Sequence, residues 1–347
     1  MQKLKLGATD IAVSEFCLGS MTWGSQNSEP EGHAQIDRAL DRGIDFIDTA
    51  ELYPVNPIKK ETIGVTETIL GNWFAKTGRR KDVVLATKCA GINANFVRED
   101  IPVSGATLRQ ALEGSLKRLQ TEYIDLYQLH GPNRGSYHFR KIWEYDPSTQ
   151  STQKELDHFA DVMETLAALK KEGKIRAFGL SNETAWGTMQ WNAAAAATGG
   201  PRITTMQNEY SLLCRLYDGD MAEMSVHENI TLLAYSPLAV GLLTGKYQNN
   251  NIPAGSRLDV TPGLGGRVTD RVFPAVAAYL AIAQKHGLHP VHLALAWTRS
   301  RPVTTIPIFG ATSIEQLDTA LDGVGLSLGQ DVLDDIAAAH KAHPMPY

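Results

Sequence analysis

Apolar positions come in short blocks along this chain, separated by longer stretches in which they recur at helical spacing. The blocks are rich in Ile, Val, Leu and Phe, which suits strands buried on both faces. Eight can be read: EFCLG (15–19), IDFID (44–48), VVLATK (83–88), IDLYQLH (124–130), IRAFGLSN (175–182), TTMQN (204–208), TLLAYSP (231–237) and TTIPIFG (304–310). Between them, residues 34–42, 66–76, 107–120, 161–171 and 184–197 show helical spacing or strong helix formers. Gly43, Gly78 and Gly173 stand where a glycine of positive φ ends a helix. Strand and helix in alternation is the pattern of a parallel sheet, and eight units predict closure into a (β/α)8 TIM barrel. Ahead of it, Lys3 to Val13 alternates weakly around Gly7 and predicts an N-terminal hairpin. No repeat of roughly 20 to 50 residues is present, so residues 1–347 are read as one α/β domain with long βα loops.

Two connections are too long to be simple turns. Residues 245–270 are rich in Gly, Asn and Pro, and a barrel connection of that length usually covers a ligand. Residues 131–157 carry Tyr137, Phe139, Trp143 and Tyr145 among polar neighbours, which suits either a substrate lid or a packed Ω-loop.

Ionisable residues close three of the strands. Asp48 ends the second and Tyr53 follows it; Lys88 ends the third; His130 ends the fourth. Each alone has an ordinary explanation: a turn or cap for Asp48, a solvated charge for Lys88, a rim residue for His130. Together, at the strand ends where barrels place their ligands, they predict proton chemistry. Ser181 and Asn182 end the fifth strand, Gln207 the sixth, and Tyr235 with Ser236 the seventh. Ser-Asn also reads as a helix cap and Tyr235 as core, and both roles can coexist with ligand binding. GLGG at 263–266 follows no strand and opens no βαβ unit, so it is not a Rossmann fingerprint.

Composition narrows the partners. A net charge of −5, a pI near 6.1 and the lack of a long basic run argue against nucleic acid or an anionic membrane. The N-terminus lacks the apolar core of a signal peptide, and no stretch approaches ~20 apolar residues, so a soluble, cytoplasmic protein is expected. Cys17, Cys89 and Cys214 have neither disulfide nor zinc spacing and read as reduced thiols, with Cys89 a candidate redox sensor beside Lys88. No metal-ligand motif is present.

The order and spacing of Asp48, Tyr53, Lys88 and His130 resemble the tetrad of the aldo-keto reductase superfamily. The stretches at 27–33, 53–62, 66–73, 115–130 and 207–213 resemble its Tas-type bacterial branch, which is similar to the potassium-channel β subunits. The resemblance implies a hairpin plugging the barrel bottom. It also implies a nicotinamide site in which Ser181, Asn182 and Gln207 bind the carboxamide and Tyr235 stacks on the ring. YSPLAVGLLTGKY (235–247), with Ser236, Pro237, Leu238, Gly241, Leu243, Gly245 and Lys246, followed by Arg257, is similar to the family's pyrophosphate and adenosine belt. Gly310, Thr312 and Gln316 match its final cofactor motif. Lys246 and Arg257 would face a 2′-phosphate, which argues for NADPH/NADP+ over NADH. Trp23, Tyr53, His130 and Trp143 would line the pocket of a small-molecule carbonyl substrate. One departure stands out: Thr319 and Ala320 occupy places where many relatives carry Glu and Asn near the adenine.

The implied reaction reduces an aldehyde or ketone with Tyr53 as general acid. A free phenol has a pKa of about 10, and a close ammonium lowers it by roughly 1 to 3 units, so Lys88 is expected to favour the phenolate while Asp48 neutralises Lys88. His130 would orient the carbonyl. Two other readings remain open in the sequence: Schiff-base chemistry at Lys88, and a nucleotide-binding regulatory module with incidental turnover. The channel subunits usually carry Asn where His130 stands, which weighs against the latter.

Overall fold

In the computed structural model, residues 1–92 and 96–347 are described. Strands β1 (Lys3–Lys5) and β2 (Ala12–Ser14) form an antiparallel hairpin with Leu4 opposite Val13. Eight parallel strands then close into a barrel: β3 (Cys17–Gly19), β4 (Phe46–Asp48), β5 (Val84–Cys89), β6 (Ile124–Leu129), β7 (Ile175–Ser181), β8 (Ile203–Glu209), β9 (Thr231–Tyr235) and β10 (Thr305–Phe309), with β10 pairing both β9 and β3. Each falls on one of the eight runs read from the sequence.

The helices are α1 (Glu29–Asp41), α2 (Val65–Thr77), α3 (Gly105–Leu119), α4 (Thr152–Lys171), α5 (Ala185–Thr198), α6 (Asp220–Glu228), the short α7 (Arg257–Val260), α8 (Val272–Lys285), α9 (Pro290–Arg299), α10 (Ile314–Leu321) and α11 (Gln330–Ala342). Two starts differ from the sequence expectation. α1 begins at Glu29, where Ser28 and Glu31 form a capping box around Pro30. α4 begins at Thr152, capped by Ser151, because its first turn is almost wholly exposed and leaves no apolar stripe to read. The aromatic connection therefore ends near residue 151 rather than 157. Among the described residues no helix is long and apolar enough to cross a membrane.

Strand alternation divides the apolar residues into two cores. Leu18, Ile47, Leu85, Tyr127 and Phe178 point outward against the helices. Their neighbours Cys17, Phe46, Ala86, Leu126 and Ala177 point inward, where Leu6, Ile11 and Val13 of the hairpin join them. The hairpin thus closes the barrel at the strands' N-terminal end. Gly7 makes this possible: at its φ of +50°, a Cβ would lie 2.6 Å from the Thr204 carbonyl oxygen and 2.8 Å from that of Asn229. The same alternation turns Asp48, Lys88, Gln128 and His130 inward at the opposite end.

Register at the start of β6 is pinned by Asp125, which is buried. It accepts from the Leu85 amide of β5 and from Arg80 Nη2, both at 2.9 Å, and pairs with Arg176 of β7. Removing it leaves the Leu85 amide without its acceptor and the Arg80 and Arg176 guanidinium groups without their carboxylate. Asp125→Ala is expected to cost about 3 kcal/mol in urea unfolding with an unchanged slope. A loss under about 1 kcal/mol would show that solvent replaces the carboxylate there.

Candidate active site at the strand C-termini

The alternation of β4, β5 and β6 brings three of the ionisable residues together, and the turn after β4 adds the fourth. Lys88, with no exposed surface, places Nζ 2.6 Å from Asp48 Oδ2, 2.8 Å from the Thr49 carbonyl oxygen and 3.5 Å from Tyr53 Oη. Tyr53 is positioned by its backbone N–H, which donates to the Ala50 carbonyl oxygen at 3.1 Å. Its ring lies edge-on to His130 at 5.7 Å between centroids. Asp48 and Lys88 are buried, whereas Tyr53 and His130 are partly exposed. The group therefore presents a phenol and an imidazole outward, with an ion pair behind them.

Burial and charge compete at each member. For Tyr53 burial wins: it raises the phenol, and Lys88 only partly opposes it. Lys88 does favour the phenolate, as expected, but burial outweighs it and the net direction is upward. The hydroxyl stays protonated, as a proton donor requires. Burial depresses Lys88, but Asp48 and Tyr53 more than offset it, so its ammonium is held above the usual value. Burial, aided by Lys88, pushes His130 down to about 3, so its imidazole is neutral. Cys89 is buried and raised to about 12, first by burial and then by Glu51, which does not suit a reactive thiol.

The residues expected to hold a nicotinamide form one connected rim. Ser181 Oγ donates to the Gln207 carbonyl at 2.8 Å, Asn182 Nδ2 to the His130 carbonyl at 2.9 Å, and Tyr235 Oη to Asn182 Oδ1 at 2.8 Å. Gln207 Nε2 reaches Asp48 Oδ1 at 2.9 Å. After β9, Ser236, Ala239, Val240, Gly241 and Gly245 all have positive φ, giving a concave backbone through Pro237, Leu238 and Leu243 of the kind that receives anions. Arg257 has no carboxylate partner among the described residues, and its charge is felt at Tyr53. Burial and Arg267 lower it to about 10, so it remains a cation at neutral pH. The Ser256 hydroxyl beside it is buried without a partner among the described residues. Lys246 lies over the Tyr247 ring at 5.1 Å. Gly310, Thr312 and Gln316 are exposed at the start of α10, where the Thr312 amide donates to Gln316 Oε1 at 3.1 Å. Of the two departures, Ala320 is buried and the Thr319 hydroxyl bonds back to the Glu315 carbonyl.

Two substrate-pocket expectations change. Trp23 is wholly buried, and its indole N–H donates to Gln35 Oε1 at 3.0 Å, so it belongs to the core. Trp143 is exposed and lies against the Arg271 guanidinium at 5.0 Å; among the described residues no ring contact joins it to the tetrad. Phe139 takes the place nearer the mouth, stacked on Tyr235 at 6.5 Å and 25°. Phe139 and Arg140 both have positive φ, and Arg140 is held to Glu209 at 2.9 Å, as is Arg267 at 2.8 Å. Glu209 thereby ties the aromatic connection to the segment after β9. It shares a strand face with Gln207, as Gln128 does with His130, and that period of two was the available signal for both.

The model of the aldo/keto reductase family matches residues 15–341. Protein tas of Escherichia coli (strain K12) is 42% identical over 350 residues, covering 100% of this chain and 99% of the relative. The uncharacterized oxidoreductase YrpG of Bacillus subtilis (strain 168) is 32% identical over 96% of this chain and 94% of its own length. Probable aldo-keto reductase 1 of Glycine max is 29% identical over 98% of this chain and 89% of its own.

Three histidines whose rings are largely withdrawn from water make a common prediction. His130 is lowered to about 3, and His138 and His158 each to about 4, all first by burial. Unfolded imidazoles titrate near about 6.5, so below that pH the unfolded chain binds more protons. Stability is therefore lost as pH falls through the window from about 6.5 to 4, and Tm should drop across it. The His130 ring signal, assigned by its loss in His130→Gln, should not titrate there. A midpoint near about 6.5 would show an imidazole in ordinary contact with water.

Proposed function

Because the chain belongs to the aldo/keto reductase family, a family of carbonyl-reducing oxidoreductases, we propose that it reduces aldehydes or ketones to alcohols, with NADPH supplying the hydride when bound and Tyr53 the proton. The observation that carries this reading is the buried Lys88–Asp48 pair, with Lys88 Nζ 3.5 Å from the hydroxyl of the partly exposed Tyr53 and the His130 ring edge-on to that phenol. As negative charge develops on the carbonyl oxygen, Tyr53 gives up its proton and Lys88 stabilises the phenolate left behind. Asp48 cancels the standing charge of Lys88, so the ion pair can stay buried through the cycle. His130, neutral at working pH, donates one N–H toward the carbonyl oxygen and orients it. The alcohol leaves, and Tyr53 is reprotonated from solvent at the open mouth.

The remaining residues fit a dinucleotide. Asn182 and Gln207 offer amides, Tyr235 a partly exposed ring, and the turns after β9 a concave backbone. Ser256 and Arg257, a buried hydroxyl and a cation that among the described residues have no hydrogen-bond partner and no carboxylate partner respectively, suit a phosphate. Lys246 and Arg257 together favour NADPH. With Ala320 buried and the Thr319 hydroxyl engaged, the adenine end is held more lightly than where Glu and Asn are present. Phe139, over Tyr235, forms the wall that meets the substrate. Schiff-base chemistry at Lys88 is disfavoured, since its ammonium is tied to Asp48 and the Thr49 carbonyl and holds its proton firmly.

Tyr53→Phe removes only the hydroxyl. Turnover on an aldehyde panel should fall about 10²- to 10⁴-fold while NADPH fluorescence titration still reports binding. Near-normal turnover in that variant would take Tyr53 out of the reaction.

Arg257→Ala should weaken NADPH roughly ten- to a hundredfold by titration. NADH, which lacks the 2′-phosphate, should be nearly unaffected. Equal losses for both would move Arg257 to the pyrophosphate they share.

A further inference from the structure

Gln128 lies outside both the tetrad and the cofactor-binding rim, yet it is wholly buried between them. It sits on β6 opposite Lys88 of β5 and Gly179 of β7. Its Nε2 is 3.2 Å from Asp48 Oδ1, and its Oε1 is 3.2 Å from Gln207 Nε2, which itself reaches Asp48 Oδ1 at 2.9 Å. The three side chains close a triangle.

The chemistry of Asp48 fixes how the triangle is wired. An ionised carboxylate only accepts, so both amides must turn their NH2 groups toward it. Gln128 Oε1 is then left to face Gln207, whose second N–H it takes. Gln207 Oε1 forms no hydrogen bond among the described residues and remains free to accept from a carboxamide. Gly179 leaves room for this arrangement: a Cβ there would lie 3.3 Å from Gln128 Cγ and 2.1 Å from Thr205 Oγ1. An apolar residue could fill the space, but it could neither donate to Asp48 nor accept from Gln207.

We propose that Gln128 is a positioning residue that locks Asp48 and Gln207 together, so that the side chain seating the nicotinamide and the ion pair behind the proton donor are set by one bond network. Through Asp48 it fixes where Lys88 stands beneath Tyr53. Through Gln207 it fixes where the carboxamide, and with it the hydride, stands over the carbonyl carbon. The assignment rests on the carbonyl-reductase reading.

Two substitutions test it. Gln128→Leu keeps the volume and removes both bonds. The single-turnover rate of NADPH oxidation should fall about tenfold or more, the scale of one hydrogen bond to a charged group. NADPH should also bind several-fold more weakly, because Gln207 loses its acceptor. Gln128→Glu keeps the shape, and while protonated the new carboxyl can donate to Asp48 and accept from Gln207. The charged groups facing it are Asp48 of β4 and Lys88 of β5, with His130 just past the end of its own strand; the Cys17 thiol of β3, which feels both Asp48 and Lys88, is raised well above its usual value by burial and then by Asp48. Beside Asp48, ionisation of the new carboxyl sets two anions on one site. The Glu variant should therefore approach wild-type rate at low pH and lose it as pH rises, through a limb that wild type and Gln128→Leu both lack.

A merely packing role would lower Tm in either variant without adding that limb. If Gln128→Leu fails to fold, the limb in Gln128→Glu decides alone. A wild-type rate, NADPH affinity and pH profile in the folded variants overturn the proposal. Absence of turnover in the unsubstituted protein would instead sink the carbonyl-reductase reading before any variant is made. The NADPH titration of Gln128→Leu then still decides whether Gln128 holds Gln207.

Discussion

A lysine and an aspartate with almost no exposed surface, 2.6 Å apart, set the constraint from which the rest of this structure follows. Charges withdrawn from water in this way are costly unless every lone pair and proton finds a partner. Lys88 meets that demand with Asp48, the Thr49 carbonyl and Tyr53; Asp48 meets it with Lys88, Gln128 and Gln207. Asp48, Lys88, Gln128 and Gln207 come from four strands, so the pair tolerates no slip in register: a shift of one residue would turn each of these side chains to the outer face. An apolar pair of similar volume would fill the space at less cost. The proposed reaction supplies a reason to keep the charges, through the phenol beside them.

The barrel interior is accordingly split along its axis. Toward the strands' N-termini it is apolar and stoppered by Leu6, Ile11 and Val13 of the hairpin. Toward the C-termini the same strands turn polar within two residues: Phe46 to Asp48, Ala86 to Lys88, Leu126 to Gln128. Apolar packing is concentrated in one half and ionisable side chains in the other, and the closed lower end shields the ion pair from water entering from below. At the upper end, Glu209 gathers Arg140, Arg267 and the Tyr347 hydroxyl, joining the aromatic connection, the segment after β9 and the C-terminal residues over the mouth.

Much of this was legible beforehand because period-two alternation and strand-end polarity are local properties. Asp48, Lys88 and His130 could be read as inward-facing strand ends, and the eight strands as apolar runs. What escaped depended on distance in space. Trp23 resembles a pocket residue until α1 supplies Gln35 and buries it. The first turn of α4 is solvated and carries no stripe. The raised Tyr53 phenol could not be read from a list of charges, since burial outweighs the ammonium beside it. Phe139 and Glu209 gain their importance from Tyr235, Arg140 and Arg267, which reach them from other loops. Gln128 is the exception: its place two residues before His130 already put it on the inner face.

The central claim is that hydride arrival at carbon and proton delivery to oxygen are completed together in front of the Lys88–Asp48 pair. It is tested most directly by single-turnover reduction of an aldehyde with NADPH deuterated at the transferring C4 position, in H2O and in D2O. Deuterium is expected on the alcohol carbon, with a rate slowed both by the label and by D2O. Label lost to solvent would contradict direct transfer, and a rate indifferent to D2O would contradict proton delivery in the same step.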